Sequence, residues 1–296
     1  MDDNIDIMIE LSTQMDAIAT CHCAHTQCNN DRMRSANDIE DCEWYHAGWL
    51  YCRLAGIIIS KDYLDERYTK FFAQRLNKER IDVLVCGFAD HALLANIAAT
   101  IPDSLLPRVY FTLMDICRSP IELCKLYVEK YAPELADRIM YVQGDATNIN
   151  VADDSFDLIT TYSFLTRMSK PLMTKVLNEW LRLLKNDGEI LTTVRVTADT
   201  QAEETFHRGS AASIEFGMKK VETFLKRGLV NEQFANRMRQ RTYDYLTNIM
   251  SSTLKDSSIL TVIADYPHEV WYYDQPGELE SIHKMMGLSI GKEISK

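Results

Sequence analysis

At 296 residues the chain exceeds the usual size of one domain, and an apolar share of 46% gives it ample material for a core. A formal charge of -11 and a pI near 5.2 argue against a phosphate-tracking surface, because nucleic-acid binders need clustered Lys and Arg. No apolar run reaches the roughly 18 residues that a membrane helix needs, and the acidic start Met-Asp-Asp-Asn-Ile-Asp is unlike a signal peptide. A cytoplasmic protein is expected, its eight cysteines reduced.

Residues 1–80 read as a helical cap. Ile5, Met8, Ile9, Leu11, Met15 and Ile18 recur near helical period, a second amphipathic block runs from about Asp38 to Leu54, and a third helix covers about Asp62 to Leu76. Between the first two lies Cys21-His22-Cys23-Ala24-His25-Thr26-Gln27-Cys28, dense in thiol and imidazole. Its spacing matches no standard zinc knuckle or ribbon, so an exposed turn is expected there and no metal site is assigned.

The regular part runs from residue 81 to 198. Asp82 to Cys86 is a strand turned by Gly87, His91 to Thr100 a helix stopped by Pro102, and Val109 to Met114 a second strand closed by Asp115. Pro120 to Tyr131 reads as a helix and Ile139 to Gln143 as a strand ending at Gly144-Asp145. Phe156 to Thr161 is a fourth strand. The helical stripe Leu172 to Leu184 precedes the turn Asn186-Asp187-Gly188 and a fifth strand, Glu189 to Val196. Strands alternating with helices predict an α/β fold, Rossmann-like and doubly wound, with a mostly parallel sheet. Residues 199–258 turn helical and polar and read as an inserted cap after the fifth strand. The chain then returns to the sheet domain over 259–296, with a last strand at Leu288 to Ile294.

An Asp closing the second strand is placed to accept hydrogen bonds from both ribose hydroxyls of an adenosine-bearing cofactor. That suits NAD and S-adenosylmethionine alike, and the glycine loop separates them. A pyrophosphate wants Gly-x-Gly-x-x-Gly at a helix N-terminus, whereas this loop is Gly87-Phe88-Ala89-Asp90-His91, with one glycine and a carboxylate.

Val83 to Ala89, Asp115, Gln143-Gly144-Asp145-Ala146, Ser155 to Ile159 and Leu181 to Leu191 together resemble the successive motifs of class I S-adenosylmethionine-dependent methyltransferases. Segments such as Cys-Gly-Phe-Ala-Asp also look like a small bacterial subgroup of unassigned acceptor. The resemblance implies that Gly87, Phe88 and Ala89 line the methionine part, that Asp115 binds the ribose with Ile116 near the adenine, and that Asp145 and Ala146 hold the adenine edge. It also implies that Thr161 and Tyr162 face the sulfonium, and that S-adenosylhomocysteine is the product. Two positions depart from the pattern, Ala89 and His91 standing where the second and third glycines are usual. No Asn-Pro-Pro-Tyr follows the fourth strand, so methylation of nucleic-acid bases gains no support.

Methyl transfer asks an enzyme mainly to align and dehydrate the reactants, with a base needed only if the acceptor arrives protonated. Tyr162, His207 and His46 are the candidates for that base. A small-molecule acceptor is expected, methylated on O or N, in a pocket built by the caps; Trp44, Tyr45, Trp49 and Phe206 would suit an apolar or cationic one. No nucleic-acid or membrane partner is expected. A protein that binds S-adenosylmethionine without turnover, as sensor or partner subunit, and a nicotinamide oxidoreductase are the alternatives.

Overall fold

The structure is a computed structural model that describes residues 5–22, 43–58, 64–162, 164–165, 170–193 and 202–254; side chains at 22, 170, 193, 202–213 and 248–254 are outside the description. The Cys-His segment beyond residue 22 and the expected final strand therefore lie outside it. Five strands form one parallel sheet: β1 (Ile81–Cys86), β2 (Val109–Asp115), β3 (Ile139–Gln143), β4 (Phe156–Tyr162) and β5 (Leu184–Thr193), in the order β3-β2-β1-β4-β5. This is the Rossmann-like, parallel α/β sheet expected from the sequence.

A parallel sheet must be covered on both faces, and the strands carry side chains for each. Val83, Val85, Phe111, Leu113 and Leu158 point to one face, where α3 (Asp65–Ala73), α4 (Ala92–Ala99) and α5 (Arg118–Tyr131) bring Tyr68, Phe71, Phe72, Leu94, Ile97, Ile121 and Val128. The alternate residues Leu84, Cys86, Met114 and Ile159 meet Met173, Val176, Leu177, Trp180 and Leu183 of α6 (Lys170–Leu183). Cys86, Cys117 and Cys124 are buried free thiols, as their apolar surroundings predict.

The amino end of the sheet is closed by charge. Asp157, 1% exposed, accepts from Lys78 (2.7 Å), Lys185 (2.7 Å) and the Asp82 amide (2.8 Å). The fifth strand differs from its expected limits for a related reason. It begins at Leu184, opposite Phe156, and pairing resumes at Glu189 opposite Leu158, so Asn186-Asp187-Gly188 is an excursion inside the strand. Arg75 donates to the Asp187 carbonyl (2.8 Å) and Lys78 pairs with its carboxylate (2.8 Å), which makes a local turn sequence compatible with a continuous strand.

The remaining helices form one bundle drawn from both ends of the described chain: α1 (Ile5–His22), α2 (Glu43–Leu54), α7 (Ala202–Lys226) and α8 (Glu232–Leu254). Leu11, Met15, Trp49 and Leu50 share an apolar cluster with Tyr245 and Leu246, and Met8, Tyr51 and Leu54 share another with Val221, Phe224 and Met238. Gly48 permits the approach of α2 to α8, since a side chain there would meet the Tyr245 Cβ at 2.7 Å and the Arg241 carbonyl at 3.1 Å. Buried Asp16 of α1 accepts from Arg241 Nε (2.6 Å) and pairs with Arg237. Among the described residues no helix is long and apolar enough to cross a membrane.

Burial alone would push the Asp157 carboxyl up, but the Asp82 amide, Lys185 and Lys78 outweigh it and hold the group below its ordinary value. A carboxyl depressed in the folded state stabilises the fold fully above the ordinary carboxylate range and loses that contribution as pH falls below about 4. Its lysine partners are about a third exposed, so Asp157→Asn should cost roughly 3 kcal/mol, the low end for a broken buried pair. Urea titrations at pH 7 and at successively lower pH check this, the gap between variant and parent narrowing with acid.

Candidate active site

From β1 the chain runs outward through β2 to β3, then crosses back to place β4 on the other side of β1. Such a reversal opens a crevice at the carboxyl ends of the two diverging strands, and open α/β sheets take their ligands there. The rim holds Gly87 after β1, Asp115 at the end of β2, Gly144 and Asp145 after β3, and Tyr162 at the end of β4. The Gly87 amide donates to the Met114 carbonyl (2.9 Å) and the Gly144 amide to the Asp115 carbonyl (3.0 Å), so the three turns leave the sheet together.

Both rim carboxylates are fixed by local bonds. Asp115 Oδ1 accepts from the Cys117 amide (2.7 Å), a turn that leads into α5. Asp145 Oδ1 accepts from the amide (2.9 Å) and hydroxyl (2.8 Å) of Thr147, and Gln143 Nε2 donates to the Ile116 carbonyl (3.1 Å). Asp115, Ile116 and Asp145 are half-buried, whereas Phe88 and Ala146 are buried. Burial pushes the Cys86 thiol up, and the Asp115 and Asp145 carboxylates add to the push, so this cysteine stays protonated and unreactive beneath the rim.

On β4 two adjacent threonines differ. Tyr68 donates to Thr160 Oγ1 (2.6 Å), which donates in turn to the Leu191 carbonyl (2.8 Å). Thr161, fully buried, has a hydroxyl with no hydrogen-bond partner among the described residues. A buried hydroxyl left so is costly, and a polar ligand group at the rim would relieve it.

The loop after β1 is held from outside the sheet. Asp90, 6% exposed, accepts through Oδ2 from Arg53 Nη1 (2.6 Å) and Trp49 Nε1 (2.9 Å) of α2, and through Oδ1 from the Ala92 amide (2.8 Å) that opens α4. Burial would raise its carboxyl, but Arg53, His91 and the amide prevail and keep it below the usual range. The two residues standing where glycine is usual are absorbed by neighbouring helices. Ala89 packs into the bundle cluster around Tyr45 and Trp49, and the His91 ring stacks on Tyr127 of α5 at 4.5 Å. Side chains at these positions are tolerated because helices receive them.

The three candidate bases are scattered. Tyr162 is half-buried at the rim, opposite Thr193 of β5. His46 is 3% exposed on α2, edge-on to Tyr45 at 5.2 Å, inside the bundle. His207 is on α7, where side chains are outside the description. Of the cap aromatics expected to meet an acceptor, Phe206 has its side chain outside the description and the other three pack on Tyr245. Trp44, Tyr45 and Trp49 each lie within 6.2 Å of Tyr245, ring centre to ring centre. Arg53, and the pairing of Trp49 with Asp90, escaped the sequence reading because the partner is some forty positions away. A signal was present all the same: Trp and Arg four apart share a helix face, and an acidic residue in a cofactor loop needs a cation.

Residues 97–192 match the family described as a methyltransferase domain, a span from within α4 to the end of β5. No curated protein matches the chain significantly. Among solved structures it is similar to PKMT2 from Rickettsia typhi, at 17% identity over 77% of this chain and 43% of that one, TM-score 0.46. It is also similar to the [4+2]-cyclase SpnF, at 15% identity over 81% and 86%, TM-score 0.40. A third is the N-methyltransferase NodS from Bradyrhizobium japonicum in complex with S-adenosyl-L-homocysteine, at 19% over 48% and 71%, TM-score 0.33. At these values the likeness is one of sheet outline, and no acceptor follows from it.

Arg53→Met would leave the buried Asp90 carboxylate with its Trp49 and Ala92 donors but without its guanidinium, which should cost about 3 kcal/mol, the low end for a broken buried pair. Arg53→Met with Asp90→Asn should recover much of that loss, because the amide needs no cation. Guanidinium denaturation of parent, single and double variants measures the difference.

Proposed function

We propose that this chain, whose residues 97–192 match a methyltransferase domain, transfers a methyl group from S-adenosylmethionine to a small-molecule acceptor. The observation that carries the reading is the pair of oriented carboxylates, Asp115 and Asp145, beside a single-glycine turn at the β1/β4 crevice. Asp115 is placed to accept from ribose hydroxyls, with Ile116 against the adenine and Asp145 and Ala146 at its edge. The Thr161 hydroxyl offers a polar partner at the methionine end, and Gly87, Phe88 and Ala89 make the turn above β1. When bound, S-adenosylmethionine supplies an electrophilic methyl; the acceptor–carbon bond forms as the carbon–sulfur bond breaks, its electron pair going to sulfur.

The chain's own part is to align and to exclude water. Effective molarity lets positioning account for on the order of 7–11 kcal/mol of such a barrier. Buried Phe88 and Ala146 dry the rim, and the Arg53–Asp90–Trp49 contacts keep the loop in one shape. Tyr162, at the end of β4, assists where the acceptor arrives protonated. The acceptor is an O or N nucleophile on a small molecule, admitted between the rim and the helical bundle. The acidic charge of the chain favours such an acceptor over nucleic acid.

Asp115→Ala should weaken S-adenosylmethionine by roughly 1.5–3 kcal/mol, the value of a charge-assisted hydrogen bond. Calorimetry with S-adenosylmethionine, S-adenosylhomocysteine and NAD tests the cofactor, the first two binding and NAD not. Transfer of a labelled methyl to components of a cell extract tests turnover; tight cofactor binding with no labelled product would favour a sensor.

A further inference from the structure

The crevice between β1 and β4 is not lined only by the residues already named. Gly87 has φ +66°, and a side chain built on its Cα would meet the Phe164 ring at 2.1 Å (Cδ2), 2.4 Å (Cε2) and 2.6 Å (Cγ). Phe164 lies two residues beyond the end of β4, so its ring bridges the carboxyl ends of the two strands whose divergence makes the crevice. The ring is half-buried and stacks at 24° and 6.3 Å on Trp180, which is fully buried. Glycine is thus required here for two reasons at once, the positive φ and the ring that occupies the Cβ position.

Chemistry gives the ring a role there. The cofactor reading places the methionine end at Gly87, and that end carries a sulfonium, a cation whose charge is spread over carbon–hydrogen bonds and weakly hydrated. An aromatic ring attracts such a cation through its quadrupole. The product S-adenosylhomocysteine keeps the ammonium, carboxylate, ribose and adenine and loses the methyl group and, with it, this charge. A ring beside the sulfur therefore separates substrate cofactor from product, which contacts to the rest of the molecule do not.

We infer that Phe164, resting on Gly87, is a cofactor-binding residue whose ring favours the sulfonium form over the thioether, an inference that rests on the cofactor reading above. The ring assists binding of S-adenosylmethionine and eases release of S-adenosylhomocysteine. Trp180 backs it and keeps it on the Gly87 Cα.

Calorimetry of the full chain with both ligands, for the parent, Phe164→Leu and Phe164→Tyr, tests it. Phe164→Leu should weaken S-adenosylmethionine about three- to tenfold more than S-adenosylhomocysteine, and Phe164→Tyr should keep the parent ratio. Phe164→Met, flexible enough to fill the same space without a ring, should shift the ratio in the same direction if Phe164→Leu folds poorly. Equal weakening of both ligands would reduce the ring to packing and overturn the inference. Tightening of both would make it an obstruction and also overturn it. In either case the parent still binds and the cofactor reading stands; a parent that binds neither ligand would remove that reading and this inference together.

Discussion

A carboxylate in the interior of a protein is held only at the cost of supplying it with donors and opposite charge. Asp90 sits in the turn where the sheet meets its ligand crevice, and its donors come from Trp49 and Arg53 on a helix far away in the chain. Once that demand is met, much else follows. The second helix must lie along the loop, its opposite side must be covered, and α1, α7 and α8 cover it with two apolar clusters. Many folds of this outline shape the loop with glycines. Here a bundle shapes it from outside, so Ala89 and His91 can stand where a freer turn would need residues without side chains.

The two ends of the sheet are secured differently. At the amino end Asp157, Lys78, Lys185 and Asp82 join β1, β4 and β5 by charge, remote from the crevice. At the carboxyl end the described bonds include local turns, Asp115 to Cys117 and Asp145 to Thr147, and the long-range contacts of Asp90 with Trp49 and Arg53. Local turns can readjust around a ligand without disturbing strand register.

What could be read from sequence was what is local. Period-2 and helical spacing located all five strands and most helices to within a few residues, and Asp115 and Asp145 fell at strand ends because composition changes there. Long-range charge was not legible: neither Asp90 with Arg53 nor the buried set around Asp157 has a periodic signature, and Asp157 reads as part of a cofactor motif although it braces the opposite end of the sheet. The turn signal Asn186-Asp187-Gly188 was correct as chemistry, yet Arg75 and Lys78 stabilise it as an excursion within β5. Trp44, Tyr45 and Trp49 suited a core as well as a ligand, and packing against Tyr245 puts Tyr45 and Trp49 in a core with Trp44 at its edge. Phe164 stands in Thr-Tyr-Ser-Phe-Leu, a segment that resembles the methyltransferases, but its place on Gly87 was not legible, since it depends on where two strands diverge.

The bundle also bears on whether the sheet could ever live alone. Helix α5 packs Ile121, Cys124 and Val128 on the sheet while Leu123, Leu126, Tyr127 and Tyr131 face α1, α2 and α8. Glu10 of α1 seals that contact through Lys130 and the Tyr131 hydroxyl (2.6 Å). A fragment holding every described strand but lacking both chain ends would bare one side of α5 to water, a continuous apolar stripe of the kind that drives association. The unit that can be cut out, transplanted or recombined is therefore not the five-stranded sheet, although every residue of the crevice rim belongs to it. Autonomy begins only when the two distant helical segments have met.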